Sequence, residues 1–297
     1  MSDPSLPSGE RKAATVRSLF DRIGPRYDLV NRVMTLGMDV GWRRRAVREL
    51  HLPPGSRVFD LACGTGDLCR ELRRGGHRPI GFDFAFGMLA NARTDAPLVQ
   101  ADVLRLPVPD ASADGVTCGF ALRNVVSLED LFAELARVVR PGGAIALLDA
   151  SRPEQPVLRA GHAVYFEHVV PVIGGLLSDR DAYAYLPKSM AYLPPPNAML
   201  AMLRGAGFPA ARRLQLSGGI TQLFAGVRAL PQLASARPST CSPLGRRAAS
   251  SSIATASGSQ PVPARSSRRV TSRRPWPTGP TARSRPARCR SREPARW

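Results

Sequence analysis

Acidic side chains on either side of a glycine-rich turn give the first indication of chemistry in this sequence. In the run VFDLACGTGDL (residues 58–68), Asp60 lies before the turn and Asp67 follows it. The small residues between them are Gly64, Thr65 and Gly66. Glycine in such a turn lets a ligand approach the backbone closely, and the neighbouring carboxylates favour a ligand that carries positive charge.

The turn does not follow the pattern of the common phosphate-binding loops. A dinucleotide-binding loop reads Gly-x-Gly-x-x-Gly and a phosphate loop ends in Gly-Lys-Ser or Gly-Lys-Thr, and neither occurs here. Asp67 at the start of the following helix would also repel a pyrophosphate, which disfavours a dehydrogenase. S-adenosylmethionine fits better as the cofactor, because it carries a sulfonium and an ammonium group where a dinucleotide carries phosphates.

Two more acids follow the next two predicted strands. Asp83 lies about 20 residues beyond the turn, where it is expected to accept hydrogen bonds from both ribose hydroxyls. Asp102 comes after the third strand and is expected to reach the adenine amino group. Each of these two acids also suits the N-cap of a helix, which is the alternative interpretation. Acids at the ends of three successive strands favour the nucleoside site.

The elements that must position these acids alternate short apolar runs with longer amphipathic ones, which is typical of an α/β fold. Helices are predicted over 85–95 and, ending in Pro-Gly-Gly, over 128–143. We expect a seven-stranded doubly wound sheet with N-terminal helices and a helical insertion after the fifth strand. The predicted strands cover residues 56–62, 78–84, 97–103, 113–122 and 144–151, and two more are joined by Gly218 and Gly219.

The net charge of +19 is concentrated near the carboxyl end of the 297 residues. Residues 229–297 contain 14 arginines and one acid, with many Pro, Ser and Ala and few aliphatic residues. Too little apolar surface is available there to offset the entropy of ordering, so we predict a disordered tail. An arm that binds RNA or anionic lipid, an inert extension and the product of a shifted reading frame all remain open for it.

The cysteines and the apolar runs indicate the cellular compartment in which the protein is expected. The five cysteines form no Cys-x-x-Cys pair, so neither a metal site nor a disulfide framework is predicted. No run of 18 apolar residues occurs, and the first residues lack the apolar core of a signal peptide. We therefore expect a cytoplasmic protein.

Several motifs give the chain a resemblance to a known family. The segments LFDRIGPRYDLVNRVMTLGMDVGWRR (19–44), GFALRNV (119–125) and YFEHVVPVIGGLLSDRDAYAYLPKSM (165–190) resemble signatures of the class I, Rossmann-like S-adenosylmethionine-dependent methyltransferases. Within that class they are similar to the ubiquinone/menaquinone biosynthesis C-methyltransferases. The resemblance implies cofactor contacts at Thr65, Asp83, Asp102, Val103 and Gly119. Gly119 stands where the family often has Ser, and Asp102-Val103 where it often has Asn-Ala.

The family resemblance also divides the chain. Residues 51–228 would form the methyltransferase domain, with residues 152–197 as the cover of the substrate, and residues 1–50 would be a helical part of the same catalytic domain. An apolar stripe in that helical part comprises Phe20, Ile23, Tyr27, Val30, Val33 and Met34. The cover contributes Tyr165, Phe166, Val169, Val170, Ile173, Leu176, Leu177, Tyr183, Tyr185 and Tyr192. Together they are expected to form an apolar slot for a ring and its prenyl chain.

The reaction that the resemblance implies is methylation of a ring carbon in a prenylated hydroquinone. Carbon is a weak nucleophile, so the site must stabilise the phenolate that activates it. Arg123 and Asn124 suit that role, because one is a permanent cation and the other can hold a hydroxyl or a water. His168 and Tyr27 are the candidates for the base, although a lone histidine among apolar residues is more often part of a core.

We expect a quinol substrate and contact with the membrane surface. Demethylmenaquinol is the first candidate, and a ubiquinol precursor is the alternative. A nucleic-acid-binding protein on a methyltransferase-like scaffold is a further alternative that rests on the arginine-rich tail. Because a prenylated quinol resides in the bilayer, peripheral contact with the membrane is expected, with Arg43, Arg44 and Arg45 beside Trp42 as candidates. The oligomeric state stays open.

Overall fold

The computed structural model describes residues 7–177 and 188–230. Within them, seven strands form one sheet with helices on both faces, as predicted. The strands are β1 (Arg57–Leu61), β2 (Arg78–Asp83), β3 (Leu98–Gln100), β4 (Ala113–Gly119), β5 (Val139–Ala150), β6 (Arg212–Leu216) and β7 (Thr221–Val227). The helices are α1 (Gly9–Ile23), α2 (Tyr27–Met34), α3 (Met38–Glu49), α4 (Asp67–Arg74), α5 (Phe86–Ala90), α6 (Leu128–Val138), α7 (Pro156–Val164), α8 (Val170–Leu177) and α9 (Pro196–Gly205).

The strand order places β1 and β4 side by side at the centre of the sheet. The order is β3-β2-β1-β4-β5-β7-β6, in which β7 is antiparallel to both of its neighbours and the other pairs are parallel. The chain therefore proceeds outward in one direction after β1 and in the other direction after β4. This reversal opens a crevice at the carboxyl ends of β1 and β4, where ligands bind in sheets of this kind.

The central strands are apolar on both faces because helices cover both. Phe59 and Phe82 pack edge to face, with ring centroids 5.2 Å apart, in a cluster that includes residues of α6 and α9. Val58 and Leu148 point to the other face and pack with side chains of α3 and α4. Burial on both sides explains the short continuous apolar runs of the sequence and fixes the positions of the strand ends.

Some boundaries differ from the prediction. Helix α6 ends at Val138, and β5 begins at Val139 and runs through Pro141-Gly142-Gly143 instead of starting after it. The pairing of β4 with β5 shifts register between Ala113 and Gly115, which gives the early part of β5 an irregular course that glycine accommodates. Helix α5 and strand β3 are also shorter than predicted.

Helices of the N-terminal segment and of the cover lie above the crevice. The hydroxyl of Tyr165, in the π-helical turn between α7 and α8, donates to the carbonyl oxygen of Met34 over 2.7 Å. The Lys12 ammonium donates to the carbonyl oxygen of Val125 over 2.7 Å, which ties α1 to the loop after β4. Tyr183, Tyr185 and the tail from residue 231 onward lie outside the described residues. None of the described helices combines the length and apolar character that a membrane span requires.

Candidate active site

The first cavity lies at the carboxyl ends of β1, β2 and β4, and its space, which is partly open to solvent, is about 1040 Å³. Most residues predicted to hold a cofactor line it. They are Asp60, Gly64, Thr65, Asp83, Asp102, Val103 and Gly119. Tyr27 and Asn124 line the same cavity. Residues that are far apart in the sequence meet here because neighbouring parallel strands end at the same edge.

The glycine turn is shaped by left-handed backbone and by close packing. Gly64 and Gly66 have φ angles of +56° and +86°. A Cβ atom on Gly66 would lie 2.5 Å from Cγ2 of Thr94, so a side chain does not fit there. Gly66 does not itself line the cavity, and its role is to begin α4 at the turn. Ala62 is also left-handed, at +50°, a strained conformation of the kind that occurs at binding sites.

Asp83 is buried and fixed by two backbone amides. The Gly64 amide donates to its Oδ2 atom over 2.8 Å, and the Ala85 amide donates to its Oδ1 atom over 2.9 Å. Burial raises the pKa of this carboxyl, and the amide hydrogen bonds oppose the rise. A carboxylate can accept about four hydrogen bonds in all, so Asp83 keeps acceptor capacity for a hydroxyl group in the cavity.

Asp60 is fully buried at the end of β1. Its carboxylate accepts hydrogen bonds from the Thr117 hydroxyl over 2.8 Å and from the Cys69 thiol over 3.3 Å. Burial raises its pKa to about 7, against the effect of these hydrogen bonds. A cation in the first cavity would favour the ionised form, because opposite charges at close range lower a carboxyl pKa.

The remaining predicted contacts differ in their exposure. Asp102 is exposed, and its Oδ1 atom accepts a hydrogen bond from the Leu104 amide over 2.9 Å. A Cβ atom on Gly119 would come 2.8 Å from Cδ1 of Leu68, so the absence of a side chain leaves room for that leucine. Thr65 is buried, and its hydroxyl donates to Asp28 of α2.

These residues fit S-adenosylmethionine. The cavity wall is acidic, which suits the sulfonium and ammonium groups, and Asp83 is positioned for a diol. The Oδ1 atom of Asn124 is buried and accepts no hydrogen bond from the described residues, which leaves an acceptor for a ligand donor. A Cβ atom added to Gly64 would meet only the terminal methyl group of Met88, so the bare backbone of this glycine borders the cavity.

A second cavity of about 1590 Å³ adjoins the first. Four residues line both cavities, so the two meet there. They are Phe20, Tyr27, Arg43 and Phe120. Apolar side chains of α1 and α2 and of the cover form a large part of the second wall. They include Leu19, Ile23, Met34, Leu158, Tyr165 and Val170. An elongated apolar molecule in the second cavity would therefore have one end next to a ligand in the first.

Arg123 lines the second cavity and is held by Asp149 at the end of β5. Both side chains are buried, and the guanidinium forms an ion pair with the carboxylate. The Nε atom of Arg123 also donates to the Ser189 hydroxyl over 3.1 Å. The arginine is therefore a fixed cation in an apolar cavity rather than a surface charge, as its sequence context predicts.

The two predicted bases differ from expectation. His168 is exposed outside both cavities, with its Nδ1 atom 3.3 Å from the carbonyl oxygen of Val164, so the structure does not support it as a base. Tyr27 does lie where the cavities meet, but burial raises its pKa despite a hydrogen bond with Asn31. Its phenol stays protonated at neutral pH and suits a hydrogen-bond donor better than a base.

Sequence reasoning missed His162, which lines the second cavity. Burial lowers the pKa of its imidazole, and the charge of Arg152 lowers it further. His162 is therefore neutral at pH 7 and able to take up a proton. The only sequence signal was a second histidine six residues before His168, and nothing in the spacing shows which of them faces inward.

The expected membrane contact is wrong for one of the three candidate arginines, because Arg43 is buried together with the neighbouring Trp42. Trp42 is buried, and its indole Nε1 atom donates to the Ser217 hydroxyl over 2.8 Å. Arg43 is buried, and it forms ion pairs with Asp39 and Asp67. Helix α3 turns these two residues toward the sheet, while Arg44 and Arg45 remain on the outer side.

Comparison with known proteins identifies the family of the chain. The sequence profile of the ubiE/COQ5 methyltransferase family matches residues 8–228. A ubiquinone/menaquinone biosynthesis C-methyltransferase from Syntrophotalea carbinolica is 39% identical and covers 74% of this chain and 97% of its own. A demethylmenaquinone methyltransferase from Deinococcus radiodurans is 40% identical, over 75% of this chain and 96% of its own.

Solved structures support the fold. A methyltransferase from Haloferax volcanii, in complex with the Trm112 activator, has a TM-score of 0.53 at 19% identity and covers 71% of this chain and 98% of its own. An S-adenosylmethionine-dependent methyltransferase from Thermotoga maritima has a TM-score of 0.51 at 18% identity, with the same coverage of 71% and 98%. The chain belongs to the ubiE/COQ5 methyltransferase family, and its methyl donor is S-adenosylmethionine.

Proposed function

We propose that this enzyme methylates a ring carbon of a prenylated hydroquinone, and that demethylmenaquinol is its substrate. The observation that carries the proposal is the largely apolar second cavity, which meets the cofactor cavity and is lined by Arg123, a buried cation that Asp149 holds in place. Relatives named for demethylmenaquinone methylation support the substrate. The nucleic-acid alternative has no support among these relatives.

In the proposed reaction the ring carbon takes the methyl group, so that a carbon–carbon bond forms as the carbon–sulfur bond breaks. The S-adenosylmethionine sulfonium supplies that methyl group as an electrophile. Arg123 stabilises the neighbouring quinol oxygen as it gains negative charge, and this charge makes the ortho carbon nucleophilic. Because Asp149 and Ser189 already hold the guanidinium, little reorganisation is needed at the moment of reaction.

Proton transfer is proposed to use His162, with Tyr27 and Asn124 as positioning groups. A neutral imidazole in the second cavity can remove the hydroxyl proton of the quinol. The Tyr27 phenol donates to a substrate oxygen, and Asn124 orients the reacting ends from the first cavity. After methyl transfer the ring carbon loses its proton to water and the oxygen regains a proton from the His162 imidazolium, so that the hydroquinone is restored with the net release of one proton.

We also propose that the mouth of the second cavity contacts the membrane. The elements that contribute to its wall carry exposed apolar side chains, which lie on α2, α3, α7 and α8 and in the segments that join them. They are Leu29, Val33, Leu36, Met38, Val157, Leu158, Val164, Val169 and Val172. Four of them, Leu36, Met38, Val157 and Leu158, line the cavity itself. A prenyl chain could then pass from the bilayer into the cavity without crossing water.

The substrate is tested by giving the enzyme demethylmenaquinol and a demethylated ubiquinol precursor in parallel. We expect kcat/KM to favour demethylmenaquinol. A tenfold preference for the benzoquinol, about 1.4 kcal/mol of transition-state free energy, would overturn the substrate assignment and leave the methyltransferase assignment standing.

The base is tested with a matched pair of histidine variants. We expect His162→Gln to lower kcat by about 100-fold, the typical worth of general base catalysis, and to flatten the acid side of the kcat pH profile. His168→Gln serves as the control and should leave kcat and its pH profile nearly unchanged. The reverse pattern would assign the base to His168.

Membrane contact is tested by co-sedimentation with vesicles that contain anionic lipid. We expect Leu36→Glu to reduce the bound fraction. Leu230→Glu is the control. Leu230 is also exposed, but it lies beside Gly142 near the start of β5, whereas the second cavity lies at the end of that strand. Equal loss in both variants, or no binding by the unmodified enzyme, would contradict the proposed surface.

A further inference from the structure

The wall of the first cavity has an unusual balance of charge. Within the described part of the chain, four carboxylates line this cavity, and one basic side chain, Arg43, accompanies them. The four acids are Asp60, Asp67, Asp83 and Asp102. S-adenosylmethionine carries two cationic groups, but its methionyl end also carries one carboxylate. That carboxylate needs a donor in a cavity that is otherwise repulsive to it.

Arg43 is close to the group that suits the methionyl ammonium. Burial raises the pKa of Asp60, and the charge of Arg43 opposes the rise, so the two side chains interact. The ammonium and carboxylate of an amino acid share one carbon atom, so their partners must lie near each other. Asp60 and Arg43 meet this requirement from β1 and α3 respectively.

Arg43 is also held in place with donors to spare. Its Nη1 atom pairs with Asp39 and its Nη2 atom lies 3.1 Å from Asp67. The guanidinium carbon lies 5.6 Å from the ring centroid of Phe120. A guanidinium has five N–H donors, and these two contacts use only part of them. Because the side chain is already fixed, binding a carboxylate would order little more of it.

We propose that Arg43 binds the methionyl carboxylate of S-adenosylmethionine. The sequence motifs assign no residue to this group, and Arg43 is the described cation that the cavity offers. The inference rests on the identity of the cofactor and does not depend on which quinol is methylated.

The test compares two ligands that differ only in this carboxylate. Calorimetry on the full chain measures the Kd of S-adenosylmethionine and of its decarboxylated analogue. We expect the unmodified enzyme to prefer the carboxylate-bearing ligand at least tenfold, and Arg43→Gln to reduce the preference below threefold. A preference below threefold in the unmodified enzyme, or an unchanged preference in Arg43→Gln, would overturn the proposal.

Arg32 offers a matched control. It pairs with the same two acids, at 3.6 Å from Asp39 and 3.8 Å from Asp67, but it lines neither cavity. Arg32→Gln should keep the preference, and loss in this variant too would show a general charge effect and overturn the assignment to Arg43. If Arg43→Gln does not fold, Asp39→Asn with Arg43→Gln removes the buried pair together, and its ligand preference is read by the same criteria.

Discussion

The two cavities of this enzyme are built in different ways. The first is formed largely by the ends of neighbouring parallel strands and the turns that follow them, where backbone amides hold Asp83 and the Thr117 hydroxyl of β4 holds Asp60. The second is formed by helices that come from distant parts of the chain, α1 to α3 on one side and α7 and α8 on the other. The sheet thus positions the proposed cofactor site, while helix packing shapes the proposed substrate site.

This difference assigns separate tasks to separate residues. Arg123 lines the second cavity and not the first, whereas Asp83 lines the first and not the second. Substitutions on the two sides should therefore change different kinetic quantities. Loss of Arg123 should affect turnover, and loss of Asp83 should affect cofactor binding.

The largest effect is expected for Arg123→Gln with Asp149→Asn. Changing both residues avoids the cost of an uncompensated buried carboxylate, which is roughly 3–5 kcal/mol. We expect kcat on demethylmenaquinol to fall by about 100-fold or more, the effect of removing an electrostatic donor from a transition state. The Kd of S-adenosylmethionine should stay within threefold. Turnover within threefold of the unmodified enzyme would refute the separation of tasks.

Asp83→Ala should act on the other side of the comparison. We expect S-adenosylmethionine binding to weaken by roughly 1.5–3 kcal/mol, the typical worth of hydrogen bonds to a charged group. Asp102→Ala is the control, and its effect should be smaller because Asp102 is exposed to solvent. Calorimetry measures both. Equal effects of the two substitutions would show that burial at the strand end does not set the strength of the contact.

The sequence predicted the first cavity better than the second for a physical reason. The strand order and the glycine turn place Asp60, Asp83 and Gly119 at one edge, whatever the details of packing. In a helix, by contrast, successive side chains point about 100° apart, so which of them face the cavity depends on how the helix is rotated about its axis. Spacing alone could not separate His162 from His168, nor show that Arg43 turns inward.

The predicted strand boundaries had a similar limit. Pro141-Gly142-Gly143 reads as a helix stop, and α6 does end just before it, but the same residues belong to β5. Tertiary pairing with β4 overrides the local signal there. The tail and the cover residues 178–187 stay predictions from sequence, as do the domain boundaries.

A pH dependence of intermediate size should come from Asp60. Its pKa of about 7 means that the carboxyl is largely protonated at pH 6 and largely ionised at pH 8. A cationic ligand favours the ionised form, so S-adenosylmethionine should bind about tenfold more tightly at pH 8 than at pH 6. Asp60→Asn, which keeps the shape of the side chain, should flatten this dependence. If the affinity for S-adenosylmethionine changes equally with pH in the unmodified enzyme and in Asp60→Asn, the titrating group is not Asp60.

The smallest effect is expected for Gly119→Ser, which introduces the residue that the family resemblance leads us to expect at this position. The new Cβ atom would come 2.8 Å from Cδ1 of Leu68, which is the far end of a flexible side chain and can move. The φ angle of Gly119 is not in the left-handed region, so serine adds no backbone strain. We expect a change in the free energy of unfolding of less than about 1 kcal/mol, and cofactor affinity within threefold. Thermal unfolding and calorimetry measure these quantities. A tenfold loss of affinity would mean that Leu68 cannot move without disturbing α4, and that the first cavity depends on side-chain packing as closely as the second does.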